Sequence, residues 1–431
     1  MSFALPMLSN LKASLCPAPK LRRFLRRFSC AVLTLAFLLP CPVLAKDEKP
    51  VIHAGYRTLS SSLPSERLMI HMGVWYPSVR RPGTVSIGDL TFRAARNAPI
   101  LAGPWPVIVL SHDVTGNAWA HRSIAASLAR RGFIVAAPTH DHDHGEDMRM
   151  LFSDRELPLR AVQLRAALDM VLEHKHIGPH ADAGRVGYLG FGMTAPAGLL
   201  LAGADLSSDG WKTFVEERKA ASQKGGSPES PWLRPFAAER IDALVESMLH
   251  RAEERSEKSE MLVKASESRI RLFKRLADSQ EKAHLRQLRL AKEEGIPQPP
   301  AAVPLLPPLS HDRAVSDSRF RALALISPGY SMLFSRESLA EVQEPVFIAG
   351  AGRDDLNLPS EQAERFAAML PKRPSYLLLP NADIALFHSS GPQSDPARPL
   401  GGVYAEKADW GTEHSLLLDA VQDFFSKTLS R

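Results

Sequence analysis

RVGYLGFGMTAPAGLLLAGA, Arg185 to Ala204, decides how this chain is read. RVGYLGFG is a continuous apolar run of the kind buried on both faces of a parallel sheet. A sharp glycine-rich turn follows at Gly190 to Gly192, and the apolar segment beyond it predicts a helix. A buried strand that turns directly into a helix is one unit of an alternating α/β chain.

The same unit recurs on either side. LMIHMGVWYPS (68–78) alternates apolar and polar residues and predicts an early strand. WPVIVLSHD (105–113) and GFIVAAPTH (132–140) are buried runs separated by a helix over Trp119 to Arg131. A helix from Leu159 to Glu173 leads back to the opening stretch. FRALALISP (320–328), EPVFIAGAG (344–352) and SYLLLPNAD (375–383) supply three later strands, with helices over Pro359 to Met369 and Ser415 to Thr428. The expected architecture is a mostly parallel, doubly wound sheet with helices on both faces. Function in such sheets sits at the carboxyl ends of the strands, so the residues just after each run are the candidates.

Alternation stops between 205 and 317. Ile241, Leu244, Val245, Met248 and Leu249 keep helical spacing, as do Ile270, Phe273 and Leu276, and IPQPPAAVPLLPPL (296–309) cannot continue a helix. This is a helical insertion with a proline-rich return: a cap over the site, a partner-binding arm, or a solvated helix pair. The core is then 46–204 plus 318–431.

The first 45 residues hold a basic run, LRRFLRRF, an apolar stretch too short to span a bilayer, and PVLA before the expected cut after Ala45. They read as an export signal, with a retained anchor as the alternative, so the mature chain is expected in the periplasm or secreted, with no membrane span. The formal charge of +6 also resides there. Lys12, Lys20, Arg22, Arg23, Arg26 and Arg27 face no acid, and taking those six from 53 leaves 47 basic residues against 47 acidic ones. A neutral remainder excludes an electrostatic nucleic-acid binder. Cys16, Cys30 and Cys41 all lie in the same segment, so the mature chain has neither disulfide nor thiolate chemistry.

VWYPS, PVIVLSHDVTGN, ARRGFIVAAPTHD, RVGYLGFGMTA, DSRFRALALISPG and PVFIAGAGRDDLNLP occur in that order. Together they resemble the bacterial α/β-hydrolases of the predicted dienelactone hydrolase family, which are related to platelet-activating-factor acetylhydrolases. The resemblance spans Gly55 to Phe387 apart from the insertion. It implies an α/β-hydrolase fold, an ancestry of ester or lactone hydrolysis, and a catalytic serine, histidine and acid. The family's G-x-S-x-G elbow falls on Gly190-Phe191-Gly192-Met193-Thr194, so Gly192 stands at the nucleophile position and offers no attacking atom. The acid maps to Asp355, with Asp354 second. The family's histidine position holds Ile384, and His388 lies four residues further on. The oxyanion region falls on His112, Asp113 and Met193, where SHD replaces the family's SHG and sets a carboxylate against a developing negative charge.

THDHDHGED (139–147) ends the second buried run. Alternate residues of an extended segment face one way, so His140, His142 and His144 are expected to converge if they hold zinc or another divalent ion. A merely polar loop is the competing reading, and no resident cofactor is expected. The sequence therefore points to an exported α/β-hydrolase-fold protein that has lost serine hydrolysis and binds a small ester-like ligand or an envelope protein. The alternative is an active carboxylic-ester hydrolase with a displaced or metal-assisted site.

Overall fold

The computed structural model describes residues 50–63, 68–88, 90–114, 116–144, 147, 150, 155–223, 289, 292–293, 315–354, 357–389 and 408–430. The chain divides into Met1–Pro50 and Val51–Arg431. The export segment, the helical spacing over 241–276 and the proline-rich return lie outside the described residues.

Ten strands are hydrogen-bonded into one sheet. They are β1 (His53–Leu63), β2 (Leu68–Ser78), β3 (Gly83–Ile87), β4 (Leu90–Arg96), β5 (Trp105–Ser111), β6 (Ile134–Thr139), β7 (Ala181–Phe191), β8 (Phe320–Ile326), β9 (Val346–Ala351) and β10 (Ser375–Leu379). Their order is β10-β9-β8-β7-β5-β6-β2-β1-β4-β3. From β6 to β10 every pairing is parallel, while β2 runs antiparallel to both β1 and β6. Among the described residues the helices are α1 (Arg122–Arg130), α2 (Glu156–Glu173), α3 (Ala197–Leu201), α4 (Ser208–Gln223), α5 (Ala363–Met369) and α6 (Ala408–Thr428). The α/β-hydrolase fold expected from the sequence is the fold observed.

Why the sheet is buried on both faces follows from β5. Val107 and Val109 point into a core with Leu157, Leu164 and Leu168 of α2. Ile108 and Leu110, one residue out of phase, point into a second core with Ile124 and Leu128 of α1 and Phe425 of α6. Period-two geometry thus needs apolar residues at every position, which is what a central parallel strand supplies. Ile108→Val removes one methylene from a fully buried site. It is expected to cost about 1 kcal/mol in urea denaturation.

Two features depart from the sequence reading. The serine-rich β1 and the hairpin of β3 and β4 carry too few apolar residues to stand out. The hairpin extends the sheet by setting Ala95 and Arg96 beside Gly55 and Tyr56. The apolar helix expected after Gly192 is short: a 3₁₀ turn over Gly192–Thr194 precedes α3. Pro196 has no N–H to give an earlier turn, and Gly203, at φ +92°, ends it. Gly198 lets α3 press on β7, since a β-carbon there would meet the Tyr188 ring at 2.2 Å.

The path from β5 to β6 turns one way along the sheet, and α2 carries the chain back across β5 to β7. The crevice at this reversal lies between the carboxyl ends of β5 and β7, where Ser111 pairs with Gly190.

Candidate active site

Gly192 follows β7 with φ at +66°. A residue with a side chain pays for that conformation, and glycine does not. Space is the second reason for glycine. A β-carbon built on Gly192 would lie 1.9 Å from Cγ and 2.0 Å from Oδ1 of Asp113. The carboxylate of Asp113 therefore stands where a nucleophile's side chain would begin.

What holds it there is a pair of backbone donors. Asp113 Oδ1 accepts the N–H of Val114 at 2.7 Å and the N–H of Met193 at 2.8 Å. Two N–H groups from separate segments converging on one oxygen is the geometry that stabilises an oxyanion in acyl transfer. The sequence set Asp113 against such a charge; in the structure its own carboxylate takes the oxyanion's place. Burial pushes the Asp113 carboxyl up to about 7, the charge of Asp354 adds to this, and the two N–H bonds oppose it.

Asp355 lies outside the described residues. Asp354 is buried and accepts Ser327 Oγ at 2.6 Å, Asn357 N at 3.1 Å and Asn357 Nδ2 at 3.1 Å. It ties the end of β8 to the loop after β9. Ile384 is 3% exposed and sits in the second core with Phe387. An isoleucine there supplies packing and moves no proton. The His388 ring lies 4.9 Å from that of His121, which stacks on Phe191 at 3.7 Å. His121 donates Nδ1–H to Phe387 O at 2.8 Å. Burial holds His121 well below the usual histidine range, and a positive His388 would add to this.

Behind Asp113 runs a buried polar chain that the sequence did not reveal. Arg160 donates to Ser111 Oγ at 3.2 Å and to the carbonyl of His112, and its Nε pairs with Asp143. Ser111 Oγ donates to His140 Nε2 at 2.9 Å, and His140 Nδ1–H donates to Gln163 Oε1 at 3.0 Å. His112 Nε2 accepts the His140 N–H, so its Nδ1 carries the proton and donates to Asp113 O at 2.6 Å. Burial first, then the Arg160 charge, keeps both His112 and His140 neutral. A serine donating to an imidazole is the pairing that hydrolysis needs. Yet Ser111 is fully buried and also takes the guanidinium, so no acyl carbon reaches it. One signal was available: Arg160 shares the stripe of Leu157, Ala161 and Leu164 on α2.

The histidine cluster is arranged otherwise than expected. The segment after β6 is a turn, with His142 at φ +66° and His144 paired to Asp147 by backbone bonds in both directions. Extended alternation does not apply there. His140 enters the buried chain, while the donor atoms of Asp141, His142 and Asp147 lie within 4.8 Å of one another. His140, His142 and His144 are not brought together.

No curated protein matches the chain. Among solved structures, a ferulic acid esterase from Streptomyces cinnamoneus matches at 16% identity with a TM-score of 0.49, over 90% of this chain and 92% of that one. A family model described as platelet-activating factor acetylhydrolase, isoform II, matches residues 76–165, which run from β2 through the Asp113 loop into α2. Over residues 76–165, and on an α/β-hydrolase fold, this chain is similar to platelet-activating factor acetylhydrolase, isoform II.

Proposed function

We propose that this is an exported protein of the α/β-hydrolase fold that has given up serine hydrolysis and works by binding. The observation that carries the reading is the seat of Asp113. Its carboxylate overlaps the space of a nucleophile on Gly192 and uses the two N–H groups an acyl oxygen would need. Loss of a nucleophile alone leaves oxyanion stabilisation and binding intact in a hydrolase. Here the oxyanion donors are spent as well. Export is supported by the basic and then apolar composition of the first 45 residues.

A cavity beside the two ends of the insertion supports binding of a small ligand or an envelope partner. A cavity of about 270 Å³ opens between Leu201, Asp205, Val315 and Glu341, where the chain leaves and re-enters the core.

The test is a fluorophosphonate probe on the purified mature chain, beside hydrolysis of p-nitrophenyl acetate. The expected result is no labelling and no turnover above buffer, with a mature N-terminus at Lys46. Labelling at one serine, with turnover abolished when that serine becomes alanine, would overturn the reading.

A further inference from the structure

We infer that the turn after β6 is a binding site for a first-row divalent cation, held by Asp141, His142 and Asp147. One donor atom from each, an imidazole nitrogen and two carboxylate oxygens, falls within a 4.8 Å span. His142 Nδ1 is 2.9 Å from Asp147 Oδ2 and 3.7 Å from Asp141 Oδ1. Zn²⁺–N and Zn²⁺–O bonds are about 2.0–2.2 Å, so donors around one ion lie about 3–4 Å apart.

The backbone that carries the trio is fixed from outside it, while the His142 Nδ1–H donates to Asp147 Oδ2 within it. Asp141 accepts the Met69 N–H of β2 through Oδ2 at 3.0 Å, which leaves Oδ1 for an ion. Its backbone N–H and carbonyl are both gripped by Gln163, at 3.0 and 3.1 Å. Asp147 is anchored through the His144 backbone pair, and the carbonyl of His142 accepts Met150 N–H at 3.1 Å. The three side chains are partly exposed, between 22% and 23%, so an ion can enter and water can complete its shell.

The donor set selects the ion. Mixed imidazole and carboxylate suits Zn²⁺, Mn²⁺ or Co²⁺, whereas Ca²⁺ and Mg²⁺ favour oxygen alone. The position selects the role. Asp141 sits at the junction of β6 with β2, and the crevice between β5 and β7 lies on the other side of β6. A cation here clamps a loop to the sheet, and it takes no part in acyl chemistry.

Chelator-stripped full-length protein, titrated with ZnCl₂ by calorimetry, is expected to bind one ion with Kd ~10 µM or tighter. At a hundredfold excess over Kd, Tm should rise by roughly 3 °C or more. Co²⁺ in place of zinc should give visible d–d bands. Asp147→Asn, which keeps the side-chain shape, and His142→Gln should each weaken binding at least ~100-fold and abolish those bands. His174→Ala controls for the paired rings of His174 and His176, 5.7 Å apart on the surface. Zinc uptake that survives Asp147→Asn and His142→Gln but is lost in His174→Ala overturns the site, as does no uptake at ~100 µM.

Discussion

Gly192→Ser is expected to destabilise the protein by about 4 kcal/mol or more and to bring no esterase activity with it. Serine's β-carbon would stand 1.9 Å from Asp113 Cγ, so the carboxylate has to leave. Its departure strips the Val114 and Met193 N–H groups of their acceptor, each about 1–3 kcal/mol when left buried and unpaired. The left-handed φ of +66° adds about 1 kcal/mol for any residue with a β-carbon. Urea denaturation followed by circular dichroism reads the sum. Asp113→Gly in the same chain relieves the collision but leaves the two N–H groups without their acceptor, so the pair should cost less than the sum of the two single changes, because they share one volume. Only when Ile384→His is added to that pair does fluorophosphonate labelling become the expected result. A Gly192→Ser protein within about 1 kcal/mol of the parent would remove the basis of the argument.

Asp113→Asn should change how stability depends on pH. The Asp113 carboxyl titrates near 7 when folded, because burial and Asp354 oppose its charge, and near 3.9 when unfolded. Between those values the folded state holds the proton more tightly. Asp113 therefore favours folding at pH 4, and that contribution fades as pH rises through 7, by up to about 4 kcal/mol. Asparagine keeps the oxygen for both N–H groups and has no proton to lose. His112, His121 and His140 act in the opposite sense: all three are held below the usual histidine range. They cost stability as pH falls below about 6.5. The measurement is thus the difference between parent and Asp113→Asn from pH 5 to 8, in which the histidines cancel. A flat difference across that range contradicts the raised titration.

The central strands were legible because a parallel strand buried on both faces leaves an unbroken apolar run, as in PVIVL (106–110) and ALALI (322–326). Helix starts were less so: α6 begins at Ala408 and α2 at Glu156, several residues before the predicted 415 and 159. The turn after β7 with its glycine at 192 could be read, and so could an apolar residue at Ile384. The role of Asp113 could not. It depends on β5 and β7 ending side by side, which brings residues 79 positions apart into one volume. The histidine run misled for a local reason. Period-two reasoning holds in extended chain, and the left-handed residue at His142 ends the extension just where it was applied.

The overlap of Asp113 with the space above Gly192 makes a serine at position 192 hard to reach by single steps of descent. Introducing a serine first collides with the carboxylate, and removing the carboxylate first leaves two amides bare. Either single step costs folding stability before any gain in chemistry. Chains carrying this pair are held to glycine at 192 by a ratchet that acts through folding alone.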